Sequence, residues 1–259
     1  MTGELFVYSV YYKYHLHKKI SIPQATSDTD LKGADKSMKQ HLLPISILFM
    51  SLLYIFVIPS QPIGLKIFFK LIPMILIIRY AYLSISQNKT PFSRLILIGL
   101  IFSMCGDGLI YWFVAGLSSF LLGHIFYGFG FVKKWNFSMI RFLTVFLIAT
   151  YAFLIGSAII TALQQHGNTD LIIPVIAYMV VISSMAWLAI MTGNKWASAG
   201  SILFVISDSI LAWNMFVSPI TYSDTLIMVT YYTAQFLIAH SLRSFHSVST
   251  RTSMNTFTY

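Results

Sequence analysis

The sequence predicts an all-α membrane protein with eight transmembrane helices in a parallel 4+4 internal repeat. Three observations predict it. First, hydrophobic residues make up 57% of the chain and charged residues only 10%, far below the roughly 25% of a soluble domain. Such a chain cannot clothe a water-facing surface, which excludes a cytosolic enzyme, a disordered chain or a nucleic-acid module. Second, eight segments approach the roughly 20 apolar residues that a helix needs to cross hydrocarbon. Third, Lys and Arg fall in every second connection, as they do when basic loops stay on the cytoplasmic side.

The eight spans read as 42–58, 64–84, 93–113, 116–132, 139–161, 171–191, 196–216 and 224–243. Lys13, Lys18, Lys19, Lys32, Lys36 and Lys39 precede the first. Lys89 and Arg94 follow the second; Lys133, Lys134 and Arg141 surround the loop after the fourth; Lys195 follows the sixth; Arg243 and Arg251 follow the eighth. The connections near 59–63, 114–115, 162–170 and 217–223 hold no Lys or Arg. Both termini are therefore expected in the cytosol. The formal charge of +9 reads as topology, not as a nucleic-acid surface.

The expected domains are a polar cytosolic tail over 1–41, an eight-helix unit over 42–243 and a Ser/Thr-rich, unstructured cytosolic tail over 244–259. No cleavable signal peptide is expected: Lys13, Lys18 and Lys19 follow the first apolar residues, where an n-region would precede them. The sequons at Asn88 and Asn136 fall on cytosolic loops, so neither is expected to carry glycan. Cys105, the single cysteine, excludes an intrachain disulfide and reads as a small buried thiol.

The repeat rests on spans three and seven. Phe102-Ser103-Met104-Cys105-Gly106-Asp107, with Trp112 five residues on, parallels Phe204-Val205-Ile206-Ser207-Asp208, with Trp213 five residues on. The following spans carry polar pairs at i, i+3: His124 and Tyr127, then Tyr232 and Gln235. Four intervening spans leave the two units pointing the same way.

Eight acids remain to be placed. Glu4, Asp28, Asp30 and Asp35 lie in the tail, and Asp170 and Asp224 begin spans six and eight, where negative charge suits a helix N-terminus. Only Asp107 and Asp208 lie within spans. A charge at the bilayer centre costs about 2.5–3.5 kcal/mol on insertion scales, so such groups face the interior and mark function; the structural alternative is helix packing through hydrogen bonds. Counted from the non-cytosolic ends, Lys70, Asp107, His124, Tyr178, Asp208, Tyr231 and Tyr232 lie about two turns in, with Tyr127 and Gln235 one turn deeper. These form an expected polar layer. Taken singly, the tyrosines are also ordinary aromatic packing, His124 a partner for a neighbouring helix, and Lys70 a snorkelling lysine. Pro73 is expected to free a carbonyl in span two. No zinc-protease, nucleophile-elbow, P-loop or dinucleotide motif occurs. No metal and no cofactor are expected, although His124, Asp107 and Asp208 leave a metal open as a possibility.

Phe102-Ser103-x-x-Gly106-Asp107 with Gly123-His124-x-x-Tyr127 resembles the YhhN-like family of membrane lysoplasmalogenases. So do Lys70-x-x-Pro73, Ala177-Tyr178-Met179 with Met185-Ala186-Trp187, and the stretch 203–239 with Ser207-Asp208, Thr230-Tyr231-Tyr232 and Ala234-Gln235. The resemblance covers about 64–243. It implies a multipass hydrolase, in a membrane of endoplasmic-reticulum type, acting on lysoplasmalogens that carry choline or ethanolamine. The products are a fatty aldehyde and a glycerophospho-alcohol. The implied partners are a lysophospholipid substrate and membrane lipids, with no nucleic acid.

Vinyl-ether hydrolysis suits two carboxylates. Protonation of the β-carbon gives an oxocarbenium ion, water adds, and the hemiacetal collapses. Burial lets one carboxylic acid donate near neutral pH. A second, ionised carboxylate stabilises the cation and deprotonates water, as in two-carboxylate glycosidases. Asp107 and Asp208 are the expected catalytic pair, with the acid unassigned. His124, Tyr127, Tyr178, Tyr231, Tyr232 and Gln235 are expected to orient water or substrate, and Lys70 to meet the phosphate. Three alternatives stay open: a transporter or lipid-binding protein using the aspartates as proton or ion sites, another intramembrane hydrolase such as an aspartyl protease (Gly106-Asp107) or a ceramidase-like enzyme, and a homologue that has lost activity.

Overall fold

The computed structural model describes residues 28–59, 61–85 and 90–255, with side chains described for 42–59, 61–85 and 90–245. The chain divides into two compact units, Met1–His41 and Leu42–Tyr259. Among the described residues are eight α-helices: α1 (Asp28–Phe56), α2 (Ile63–Ser84), α3 (Pro91–Gly108), α4 (Phe113–Val132), α5 (Met139–Gln165), α6 (Ile172–Met191), α7 (Lys195–Phe216) and α8 (Ser223–Asn255). A 3₁₀ turn over Thr169–Leu171 leads into α6. No strand is present among the described residues.

Among the described residues, five segments are long and apolar enough to cross a membrane: α3, α4, α5, Thr169–Met191 and α7. The apolar part of α1, Leu42–Phe56, is shorter. Helices α2 and α8 fall outside that group because they carry polar side chains: Lys66, Lys70 and Arg79 in one, Tyr231, Tyr232, Gln235 and His240 in the other. Large apolar side chains are exposed along α5, among them Phe146, Leu147, Phe153 and Leu154. A soluble monomer rarely shows so continuous an apolar face. In hydrocarbon it costs nothing, and a helix satisfies its own backbone there.

Local chemistry explains several helix boundaries. Thr90 caps α3 by accepting from the Ser93 N–H, with Pro91 at the first helical position. Between α6 and α7, Gly193 takes φ 70°, a left-handed geometry that ends a helix at little cost in glycine. Asn194 then caps α7, accepting from the Trp196 and Ala197 N–H groups.

Three boundaries differ by five residues or more from those expected. Span three was expected to reach 113, but α3 ends at Gly108 and α4 begins at Phe113. The Leu109 N–H bonds the Cys105 carbonyl and the Trp112 N–H bonds the Leu109 carbonyl. Hydropathy missed this turn because Leu109, Ile110, Tyr111, Trp112 and Phe113 are all apolar or aromatic. Trp112 is therefore in a connection, whereas Trp213 is inside α7. Helix α8 continues to Asn255, past the expected end at 243, and α1 begins at Asp28, before 42; hydropathy detects only the apolar part of a helix. Residues 1–27 and the sequon residue Asn88 lie outside the described residues.

The closest helix pairs are α3 with α4 and α7 with α8. Glycine allows both approaches. A Cβ on Gly99 would lie 3.0 Å from the Gly123 carbonyl and would collide with the Tyr127 ring. One on Gly200 would lie 2.9 Å from the Ala234 carbonyl. The further neighbours include α2 with α3, α6 with α7, α2 with α8 and α4 with α6.

One end of the bundle gathers several basic side chains. The Asn136 N–H and Arg141 Nη1 both bond the Met191 carbonyl, at 3.1 and 3.2 Å. Lys134 Nζ lies 5.7 Å from the Phe92 ring centre and 5.6 Å from that of Phe245. Asn194 Nδ2 donates to Ser244 Oγ at 2.5 Å.

Candidate active site

A cavity of about 680 Å³ enters the bundle, and all eight helices contribute to its wall. That volume suits a small-molecule site. One wall is apolar, with Ile155, Val175, Met179, Ile182, Val205 and Met215. Lys70, Asp107, Tyr178, Asp208 and Tyr231 are set into the same cavity.

Asp107 is buried in the last turn of α3. Its Oδ1 lies 3.0 Å from Lys70 Nζ, and its side chain is 2% exposed against 13% for the lysine. The Tyr231 hydroxyl donates to its Oδ2 at 2.6 Å. A buried carboxylate needs this kind of pairing and hydrogen bonding to remain charged. Asp208 sits in the middle of α7, half-buried, with the Tyr178 hydroxyl donating to its Oδ2. Among the described residues, no Lys, Arg or His forms an ion pair with Asp208. Thus one aspartate has a cation and a phenol, and the other has a phenol.

The remaining expected residues stand behind this wall. Tyr127 donates to Gln235 Oε1 at 2.7 Å, and both are fully buried. Gln235 Nε2 meets no partner in good hydrogen-bond geometry; Tyr231, which bonds Asp107, is the side chain Gln235 approaches. His124 is buried edge-on to Phe204 and Tyr178, at 4.5 and 5.4 Å between ring centres. Neither of its ring nitrogens meets a partner in good hydrogen-bond geometry; the Phe120 carbonyl, one turn earlier, is the backbone acceptor it approaches. The Tyr232 hydroxyl donates to the Lys70 carbonyl at 2.8 Å. Pro73, which has no N–H to give the helix, leaves the neighbouring Phe69 carbonyl, four residues before it, without its ladder donor. Among the described residues, no group of three or more His, Cys, Asp or Glu side chains is placed to hold a metal.

Sequence reasoning missed several residues. Tyr54 of α1 lines the cavity and meets Tyr232 edge-on at 6.0 Å between ring centres. A lone tyrosine in a short apolar span gives no signal. Lys66 and Asp224, the second read only as a helix-start acid, lie 3.6 Å apart on the cavity wall. Away from the cavity wall, the Tyr80 hydroxyl lies 2.6 Å from His240 Nδ1. Cys105 is exposed, where a buried thiol was expected.

The fold and site define a helical protein of membrane type whose bundle holds two aspartates in a largely apolar cavity. Residues 65–242 match the YhhN family, and the chain belongs to that family. It is 31% identical over 169 residues to Lysoplasmalogenase TMEM86B of Homo sapiens, spanning 63% of this chain and 70% of that one. The mouse (Mus musculus) Lysoplasmalogenase TMEM86B is 28% identical over 198 residues, 74% of this chain and 82% of its own. Lysoplasmalogenase TMEM86A of Homo sapiens is 32% identical over 166 residues, 58% of this chain and 66% of its own. No solved structure gives a significant match.

Proposed function

We propose that this chain is a lysoplasmalogenase that hydrolyses the vinyl-ether bond of lysoplasmalogens, with Asp208 as the acid and Asp107 as the base. The family and the names of its relatives support the reaction. The observation that carries the assignment of roles is the unequal pairing of the two aspartates. Asp107, 3.0 Å from the Lys70 ammonium, is the charged member. Asp208, whose partner is a phenol, carries the proton.

The proton passes from Asp208 to the β-carbon of the vinyl ether, and the oxocarbenium ion forms beside the Asp107 carboxylate. Water adds to the α-carbon and gives a proton to Asp107. The hemiacetal hydroxyl then returns a proton to Asp208, while Asp107 protonates the departing glycerol oxygen. Aldehyde and glycerophospho-alcohol leave, and both carboxyls are restored. The alkenyl chain lies along the apolar wall between α5, α6 and α7. Tyr178 and Tyr231 position the two carboxyls, and Tyr127, Gln235, His124 and Tyr232 hold those tyrosines and Lys70 in place.

The parallel 4+4 repeat belongs to this reading, and the neighbour relations support it. The α2–α3, α3–α4 and α2–α8 pairs correspond to α6–α7, α7–α8 and α6–α4. Gly99 and Gly200 each stand eight residues before their aspartate. Lys70 and Tyr178 then occupy equivalent positions, and each bonds the aspartate of the next helix. All eight helices span the membrane in this reading, with 1–41 and 244–259 as cytosolic tails flanking the 42–243 unit. The membrane is of endoplasmic-reticulum type. The basic side chains gathered at one end support that orientation, and Asn136 stays unglycosylated.

The test is aldehyde release from lysoplasmenylethanolamine by the purified protein in detergent. Wild type releases aldehyde, while Asp107→Asn and Asp208→Asn, purified as folded proteins, do not. Robust release by both variants would remove the aspartate mechanism. No release by folded wild type would point instead to a transporter or lipid-binding protein.

A further inference from the structure

We infer that Lys66 and Asp224, on the cavity wall one helical turn from the reaction centre, clamp the zwitterionic head group of the substrate: Lys66 takes the phosphate and Asp224 the ammonium. This rests on the lysoplasmalogenase reading above.

Position is the first argument. Lys66 precedes Lys70 by four residues on α2, and both line the cavity. Four residues advance a helix by about 6 Å. In a lysoplasmalogen, five bonds separate the vinyl-ether oxygen from phosphorus. Extended, they span about 6 Å, given that three backbone bonds span roughly 3.5 Å. A vinyl ether held between Asp107 and Asp208 therefore brings its phosphate level with Lys66. Lys70 is not free for that task, because its ammonium is held by Asp107.

Charge is the second argument. The head group carries one negative and one positive charge, and this part of the wall presents one of each in reverse. Lys66 Nζ and Asp224 Oδ2 are 3.6 Å apart, with side chains 37% and 84% exposed. A wet ion pair of this kind contributes little to stability, so opening it to admit a phosphodiester and an ammonium costs little. An ethanolamine ammonium donates hydrogen bonds to the Asp224 carboxylate. A choline trimethylammonium has no N–H to donate. The clamp therefore favours ethanolamine over choline.

The experiment compares lysoplasmenylethanolamine, lysoplasmenylcholine and 1-alkenylglycerol, which lacks the phosphate, on the full chain in detergent. Lys66→Gln lowers kcat/KM for lysoplasmenylethanolamine about tenfold more than for 1-alkenylglycerol, the low end for a hydrogen bond to a charged group, mainly through KM. Lys66→Arg restores most of the difference. Asp224→Asn brings the ethanolamine-to-choline preference toward one. An equal loss on phosphorylated and unphosphorylated substrates, or no loss on either, would overturn the clamp. So would a wild type with no preference between the two head groups. Folded wild type that releases aldehyde from none of the three would remove the lysoplasmalogenase reading itself, and the clamp with it.

Discussion

The α3–α4 pair and the α7–α8 pair are built alike and end in different chemistry. In each, a glycine eight residues before an aspartate lets the next helix approach closely. In each, a serine hydroxyl bonds a carbonyl of the facing helix: Ser119 to Phe102 at 2.7 Å, and Ser207 to Ile227 at 2.9 Å. The difference lies in what the preceding helix brings to the aspartate. Helix α2 brings Lys70, and α6 brings Tyr178. That difference leaves one carboxyl beside a cation and the other beside a neutral donor. In the proposed mechanism that separates base from acid.

The largest expected effect removes both members of the comparison. Asp107→Asn and Asp208→Asn each lower aldehyde release about a thousandfold, within the range for a positioned acid or base. Next is making the surroundings of the two aspartates alike. Tyr178→Lys places a cation beside Asp208 and lowers kcat at least a hundredfold, whereas Tyr178→Phe, which removes only a hydrogen bond, lowers it about tenfold. Equal losses in the two variants would show that the neutrality of position 178 is not what matters.

Lys70→Met acts on stability as well as rate. It leaves Asp107 buried without its cation, and breaking a buried pair costs several kcal/mol, about 3–5. The double variant Lys70→Met/Asp107→Asn removes the stranded charge. Its melting temperature in detergent is expected above that of Lys70→Met alone, while both stay inactive. A double variant no more stable than the single would mean that the ion pair is not what holds α2 to α3. The smallest effect is that of Tyr127→Phe. It leaves the Gln235 carbonyl oxygen without its bond from Tyr127, costing about 1–3 kcal/mol. Activity falls by only a few-fold, because Tyr127 bonds neither aspartate and reaches Asp107 only by way of Gln235 and Tyr231. A hundredfold loss would give it a direct part in the chemistry.

The helices were legible because apolar length is a property of consecutive residues. The turn at 109–112 was not, since its side chains are as apolar as the helices it joins. The catalytic candidates stood out because only two acids lie inside apolar runs, and Lys70, Tyr178 and Tyr231 were legible as members of a polar layer. Which of them meets which was hidden. Asp107 and Tyr231 are 124 residues apart in sequence, and nothing local encodes their contact.

The sequence by itself determined the helical class, the family and the two aspartates, because hydrophobicity, motif order and the scarcity of buried charge are written residue by residue. Only the tertiary structure decided that α2 delivers a cation to one aspartate and α6 a phenol to the other. It also placed Lys66 and Asp224 together on one cavity wall. Those are relations between helices distant in sequence, set by how glycine-lined faces pack, and an ion pair depends on distances that only packing fixes.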